Sequence, residues 1–232
     1  MAYVDSDLAR VACGRALAVN DRQSASRLYA AGMRSLPQFQ VYTGLASVWR
    51  SASVQRVSRR LRLQFPNARY HIINRGNFRH PIFSSAGAGQ AFERTLDEAA
   101  RRFRWLVHAY VVMSNHYHLA LETPEPNLAT GMHWLQTTFA VRHNRFRRRH
   151  GHLSQGRFKS LLIQDTAHLV RVIDYIHLNP VRAGIVPADR LLEYRAISLV
   201  CFAQGNAAPW LVAKELLEVA GLAGSPLMWP AA

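Results

Sequence analysis

Two runs of alternating apolar residues stand almost back to back near the middle of the chain, and their spacing limits what it can fold into. In residues 105–113, Val107, Ala109, Val111 and Met113 alternate with His108, Tyr110 and Val112. The run at residues 116–122 begins after only Ser114-Asn115. A period of two requires extended strands, and so short a link folds them back antiparallel. The chain must therefore build a sheet around this hairpin, and whatever flanks it must cover that sheet.

The flanks read as alternating elements. Tyr70-His71-Ile72-Ile73 is a β-rich run ended by the turn residues Asn74-Arg75-Gly76-Asn77. Residues 90–103 carry Phe92, Leu96, Ala99, Ala100 and Phe103 at helical spacing. After Pro124-Glu125-Pro126, Asn127 is placed to cap a helix running to about residue 148, with Leu128, Met132, Leu135, Phe139 and Phe146 as its buried stripe. A fourth strand is predicted over residues 157–164. A last helix, capped by Asp165 or Thr166, runs to about Leu178 and is stopped by Pro180. The order from Tyr70 is strand, helix, strand, strand, helix, strand, helix. This is an α+β chain of the split βαβ type: a ferredoxin-like antiparallel sheet flanked by helices, with an added C-terminal helix. Three regions are expected: an N-terminal extension at 1–58, in which a helix over 7–31 is interrupted by Gly14; a central domain at 59–187; and a helical tail at 188–232.

Composition narrows the partners. Lysine and arginine total 29 against 14 acidic residues, a formal charge of +15. Self-repulsion on that scale is relieved by a polyanion, so nucleic acid or an anionic surface is the expected partner. Two cysteines, Cys13 and Cys201, exclude a disulfide scaffold and a cysteine-rich zinc site. No stretch approaches the ~20 apolar residues of a spanning helix, and the acidic start lacks the layout of a signal peptide. A soluble, cytoplasmic protein without a membrane partner is expected. No glycine-rich phosphate loop is present, so no nucleotide cofactor is expected.

Three local features carry chemistry. In His116-Tyr117-His118 the two imidazoles share one strand face and Tyr117 takes the other. Such a pair is part of a metal coordination shell, or two histidines that merely alternate. Tyr175 and Asn179 stand four residues apart, stacked on one helical face. The tyrosine is an edge-of-core residue or, beside a His-x-His pair, a nucleophile with a neutral oxygen ligand next to it. The third feature is basic: Arg142, Arg145, Arg147, Arg148, Arg149, Arg157 and Lys159 occur with no acid between them. Phe146 and Phe158 interleave aromatics with these charges, the combination that suits single-stranded nucleic acid, where bases stack while phosphates lie in a basic groove. Arg142, Arg145, Arg148, Arg149, Arg157, Phe158 and Lys159 are the candidate DNA contacts.

Four ordered blocks then carry a family resemblance. They are Tyr70-His71-Ile72-Ile73-Asn74-Arg75-Gly76-Asn77, Met113-Ser114-Asn115-His116-Tyr117-His118-Leu119, Gln155-Gly156-Arg157-Phe158-Lys159, and Tyr175-Ile176-His177-Leu178-Asn179-Pro180-Val181-Arg182-Ala183-Gly184. Together they resemble the REP-associated tyrosine transposases, single-tyrosine HUH enzymes of the IS200-like group. The resemblance covers about residues 59–187, so residues 1–58 lie outside it. It implies that His116 and His118 hold a divalent metal, Mg²⁺ or Mn²⁺, with Asn179 as third ligand, and that Tyr175 attacks a DNA phosphate. It further implies a ferredoxin-like fold and a substrate of single-stranded DNA, often beside a hairpin formed by a palindromic repeat.

The function expected is cleavage and rejoining of single-stranded or hairpin DNA through a 5′-phosphotyrosine, in a bacterial, nucleoid-associated setting and as a monomer or homodimer. A phenol ionises near ~10 and needs a metal or a basic environment to attack at neutral pH. The covalent link conserves the phosphodiester energy, so rejoining needs no ATP. The alternatives are a non-catalytic single-stranded nucleic-acid-binding module, such as a decayed transposase copy, and a metal-dependent phosphodiesterase that uses water.

Overall fold

A computed structural model describes residues 62–213. The N-terminal extension and the helix expected over 7–31 lie outside the described residues. Four antiparallel strands form one sheet in the order β2-β3-β1-β4: β1 is Ala68–Arg75, β2 Leu106–Val112, β3 His116–Thr123 and β4 Lys159–Ile163. Two long helices, α1 (Ala86–Phe103) and α2 (Leu128–Arg147), cover one face. Helix α3 (Thr166–His177) lies on the other face, followed by the short turn α4 (Asn179–Arg182) and by α5 (Ser198–Ala203). This is the α+β, ferredoxin-like architecture expected from the order of elements.

The two faces have different cores. Under α1 and α2 lie Tyr70, Ile72, Tyr117, Leu119 and Leu121, with Phe83, Phe92 and Phe139 forming ring contacts around Tyr117. Under α3 lie the smaller Ala109, Val111 and Ala120, against Leu169, Val172, Ile173 and Ile176. The small residues bring α3 close to the strand that carries the histidines.

Several local expectations are corrected. A β-bulge between Val107 and Ala109 breaks the strict alternation of β2, so Val107 joins the α1/α2 core while Ala109 and Val111 face α3. Helix α1 starts at Ala86 rather than near residue 90. Gly87 and Gly89 hide its first turn from a periodicity reading, and the Ser85 side chain caps it by accepting from the Ala88 N–H. Asn127 stands at the N-cap of α2 without capping it. Its Oδ1 accepts from the Trp105 indole at 2.8 Å and its Nδ2 donates to the Phe103 carbonyl, while Gln64 Oε1 accepts from the Ala129 N–H at 2.6 Å. Phe146 is 82% exposed, because after Phe139 no residue of α2 is buried.

The described part of the C-terminal tail belongs to the sheet assembly. Val112 N–H donates to Ala196, and Val107 exchanges backbone hydrogen bonds with Trp210 and Val212, so two stretches of the tail cover the outer edge of β2. The Tyr194 hydroxyl adds a bond to the Val112 carbonyl at 2.7 Å.

Gly131 gives a signed test of the α2 packing. A Cβ there would sit 2.2 Å from the Trp105 ring, so Gly131→Ala overpacks the core despite alanine's better helix propensity. Gly87 has nothing within 4 Å of such an atom. Thermal unfolding should show Gly131→Ala lowering the melting temperature by roughly 3–10 °C, from a cost of about 1–3 kcal/mol. Gly87→Ala should raise it by about 1–3 °C. A neutral Gly131→Ala would contradict the packing of Trp105 on α2.

Candidate functional site

Register decides what meets on the α3 face. In the β1–β3 ladder Arg75 pairs with His116, Ile73 with His118 and His71 with Ala120, so Arg75, Ile73 and His71 share the face of the two histidines. The β1–β4 ladder places Leu161 opposite His71 and Lys159 opposite Ile73 on that same face. His116 and His118 lie with ring centroids 5.1 Å apart. His71, to which the sequence assigns no role, stacks on His118 with Nε2 3.0 Å from the His118 Nδ1.

Tyr175 completes the group from α3. Its ring meets those of His71 and His118 edge-on, at 5.8 and 5.6 Å between centroids, and the residue keeps 37% of its surface exposed. The helix is fixed at its N-terminus by Asp165, whose carboxylate accepts from the His168 N–H at 2.6 Å. Beyond His177 the helix is interrupted at Leu178, because Pro180 has no N–H to continue the ladder. Asn179 therefore begins the separate turn α4 rather than the next turn of the tyrosine's helix, and its side chain makes no hydrogen bond among the described residues. The same turn brings the Arg182 guanidinium over the Tyr175 ring, 5.1 Å from its centroid.

Hydrogen bonds select the tautomers. Asn115 Nδ2 donates to the Arg79 carbonyl, which fixes the amide so that Oδ1 meets His116 Nδ1 at 2.7 Å. An amide oxygen only accepts, so His116 carries its proton on Nδ1 and its Nε2 lone pair stays free. His118 is left in the same form when its Nδ1–H donates to His71. Burial pushes His118 down to about 3 and His71 to about 4, the neighbouring imidazoles adding to the first and His168 to the second. Burial also lowers His116. Neutral imidazoles with free Nε2 atoms suit a divalent cation, each held by a second hydrogen bond. Among the described residues no group of three or more His, Cys, Asp or Glu side chains is arranged to hold a metal ion, so further donors would be amide or water oxygens.

The basic stretch divides. Arg142 is engaged on the far layer, bidentate on Glu98 at 2.7 and 2.8 Å. Phe158 is only 7% exposed and its ring is covered by the Arg62 guanidinium at 3.7 Å, so no base can stack on it. Arg145 and Arg148 are exposed at the end of α2, Arg149 lies 3.3 Å from His80, and Arg157 lines a cavity of about 910 Å³ between α2 and the loop at 151–157. Lys159 alone of the set shares the face of the histidines.

The sequence profile of the family described as "Transposase IS200 like" matches residues 64–179, half of the chain. The chain belongs to the IS200-like transposase family. No curated protein matches it. Among solved structures it is similar to a REP-associated tyrosine transposase bound to a REP hairpin, at 18% identity and a TM-score of 0.55, over 67% of this chain and 91% of that one. A candidate transposase from Deinococcus radiodurans R1 aligns at 20% identity and a TM-score of 0.38, over 51% and 95%. The first likeness establishes that this IS200-like chain shares the fold of a REP-associated tyrosine transposase. Among the described residues no helix is long and apolar enough to cross a membrane.

The buried imidazoles set an acid limit on stability. Their folded values lie below the ~6.5 of an exposed histidine, so the unfolded chain binds more protons. The neutral, buried form contributes fully above pH ~6.5, and that contribution is lost as pH falls toward the folded values of about 4 and 3. In chelator-containing buffer, the urea midpoint should fall steadily from pH 7 to pH 4.5. His71→Gln, which removes one such group, should show a shallower fall, and a midpoint constant over that range would refute the buried neutral assignment.

Proposed function

We propose that this transposase cleaves and rejoins single-stranded DNA, at repeat hairpins, with Tyr175 as the nucleophile and a divalent metal, Mg²⁺ or Mn²⁺, on His116, His118 and Asn179. The observation that carries the reading is the half-exposed tyrosine set edge-on against two buried, neutral histidines. A phenol in a plain structural role has no need of that surrounding.

In this reading the Tyr175 oxygen attacks the phosphorus, its proton passes to water, and the 3′-oxygen leaves and is protonated. The products are a 5′-phosphotyrosine and a free 3′-hydroxyl, and attack by such a hydroxyl reverses the step. Bound metal would polarise the scissile phosphate and ease departure of the 3′-oxygen. His71 holds the His118 ring through the 3.0 Å bond, and Asn115 holds His116, so both Nε2 atoms stay presented. Arg182 packs on the Tyr175 ring and brings positive charge to where the phosphate must arrive. Lys159 and the arginines at the end of α2 draw in the rest of the strand.

A labelled single-stranded oligonucleotide containing a repeat hairpin, incubated with Mn²⁺ and run on a denaturing gel, tests this. The parent protein should give cleavage and an SDS-resistant adduct. Tyr175→Phe should abolish both while leaving DNA affinity within about twofold, and His116→Ala or His118→Ala should abolish the metal-dependent activity. Cleavage without an adduct would point to a water nucleophile, and binding without cleavage to a non-catalytic module.

Binding has its own signature in salt. Each phosphate contact on a single strand contributes about −0.7 to the slope of log K against log salt. The double variant Arg145→Gln/Arg148→Gln should therefore flatten the slope by about one. Arg142→Gln should leave the slope unchanged and instead lower stability slightly, since its partner is Glu98. Equal slopes for the parent and the double variant would return the end of α2 to a merely solvated role.

A further inference from the structure

The turn after β1 is built at some conformational cost and displays one aromatic ring. Gly76 is closed in on both sides: a Cβ there would meet the His80 carbonyl at 2.5 Å. Its N–H donates to the Asn115 carbonyl at 2.7 Å, and the Asn77 N–H donates to Leu153. Directly after these anchors Phe78 and Arg79 both adopt the left-handed conformation, with φ of 49° and 58°. For residues with side chains that conformation is unfavourable, and it persists only where the surroundings enforce it. What it achieves here is exposure. Phe78 is 90% exposed, more than any other large hydrophobic residue described.

Its setting is basic and adjacent to the site. Arg75, Arg79 and His80 are exposed on the same turn, and Arg149 reaches His80 at 3.3 Å. No acidic residue lies between Arg69 and Glu93 in the chain. Asn115 is shared: one end of its amide bonds the Arg79 carbonyl of this turn and the other orients His116. The ring is therefore one side chain removed from the histidine pair, on a turn whose backbone is tied to it.

We propose that Phe78 is a stacking platform for one unpaired base of the DNA strand, with Arg75 and Arg79 placed for the phosphates that flank it. The sequence points to Phe146 and Phe158 for this role, but Phe158 is sealed in the core, and Phe146 lacks the link to His116 that Asn115 gives the turn of Phe78. The proposal rests on the single-stranded DNA reading above and adds a position to it: a base held rigidly next to His116, so that the distance from stacked base to scissile phosphate is fixed by the protein.

The test uses the full chain without divalent metal, and oligodeoxynucleotides of one sequence carrying 2-aminopurine, or an abasic site, at successive unpaired positions next to a hairpin. Stacking quenches 2-aminopurine. The parent should quench it strongly at one position, and an abasic site at that position should weaken binding about 5- to 100-fold, the usual worth of a base–aromatic stack. Phe78→Ala should lose the quenching, bind the intact strand 5- to 100-fold more weakly and become indifferent to the abasic site. Phe78→Trp should restore both. If Phe78→Ala binds and quenches like the parent while the parent still cleaves through Tyr175, this inference fails and the transposase reading survives. Failure of the parent to bind any of these strands would overturn both.

Discussion

The site depends on the register between β1 and β3. Eight residue pairs, from Ala68 with Thr123 to Arg75 with His116, hold these central strands together. Because side chains alternate with a period of two, a slip of one residue would send one strand's set to the opposite face. His71 would then leave His118, and Tyr70 or Ile72 would take its place against Tyr175. The aromatic core around Tyr117 on the other face opposes such a slip, since either Tyr70 and Ile72 of β1 or Leu119 and Leu121 of β3 would lose their burial. Packing under α1 and α2 thus enforces the histidine cluster under α3, although no described residue of those helices enters it.

That division explains what could be read from the sequence. His116 and His118 lie two apart on one strand, and the strand's own period places them together. Tyr175 sits on a helix whose apolar spacing and Asp165 cap are local signals. His71 is different. It lies 47 positions from His118, and only the pairing of two distant strands puts them in contact. A single alternating run says which residues share a face, not which other strand supplies their neighbours. Asn115 and Arg182 were legible as members of a motif, but their roles come from a turn and a helix break that no periodicity predicts.

The misreadings have a common physical origin. Aromatic residues among arginines suggest a nucleic-acid surface, yet the Phe158 ring is buried because β4 leads it into the core and Arg62 closes over it. Phe146 continues the helical stripe of Leu135 and Phe139, but α2 outlasts the layer that could cover it. Asn127 stands where a cap belongs and serves Trp105 instead, since Gln64, from outside the helix, satisfies the helix end. In each case the local pattern was right about the residue's neighbourhood, and the deciding contact came from a distant segment.

The two tail stretches along β2 bear on how a shortened chain would behave. Residues 196–197 and 210–212 occupy backbone groups that a sheet edge otherwise offers to any extended peptide. Ser198 within the same tail accepts the Tyr110 N–H at 2.9 Å and meets the buried His177 at the same distance, joining the sheet to α3 from beneath. A chain ending at Tyr194 would keep every motif residue of the site. It would also bare the hydrogen-bonding edge of a long apolar strand and cut the tie under α3. Trimming at this end would therefore invite self-association along β2 while leaving Tyr175 in the chain.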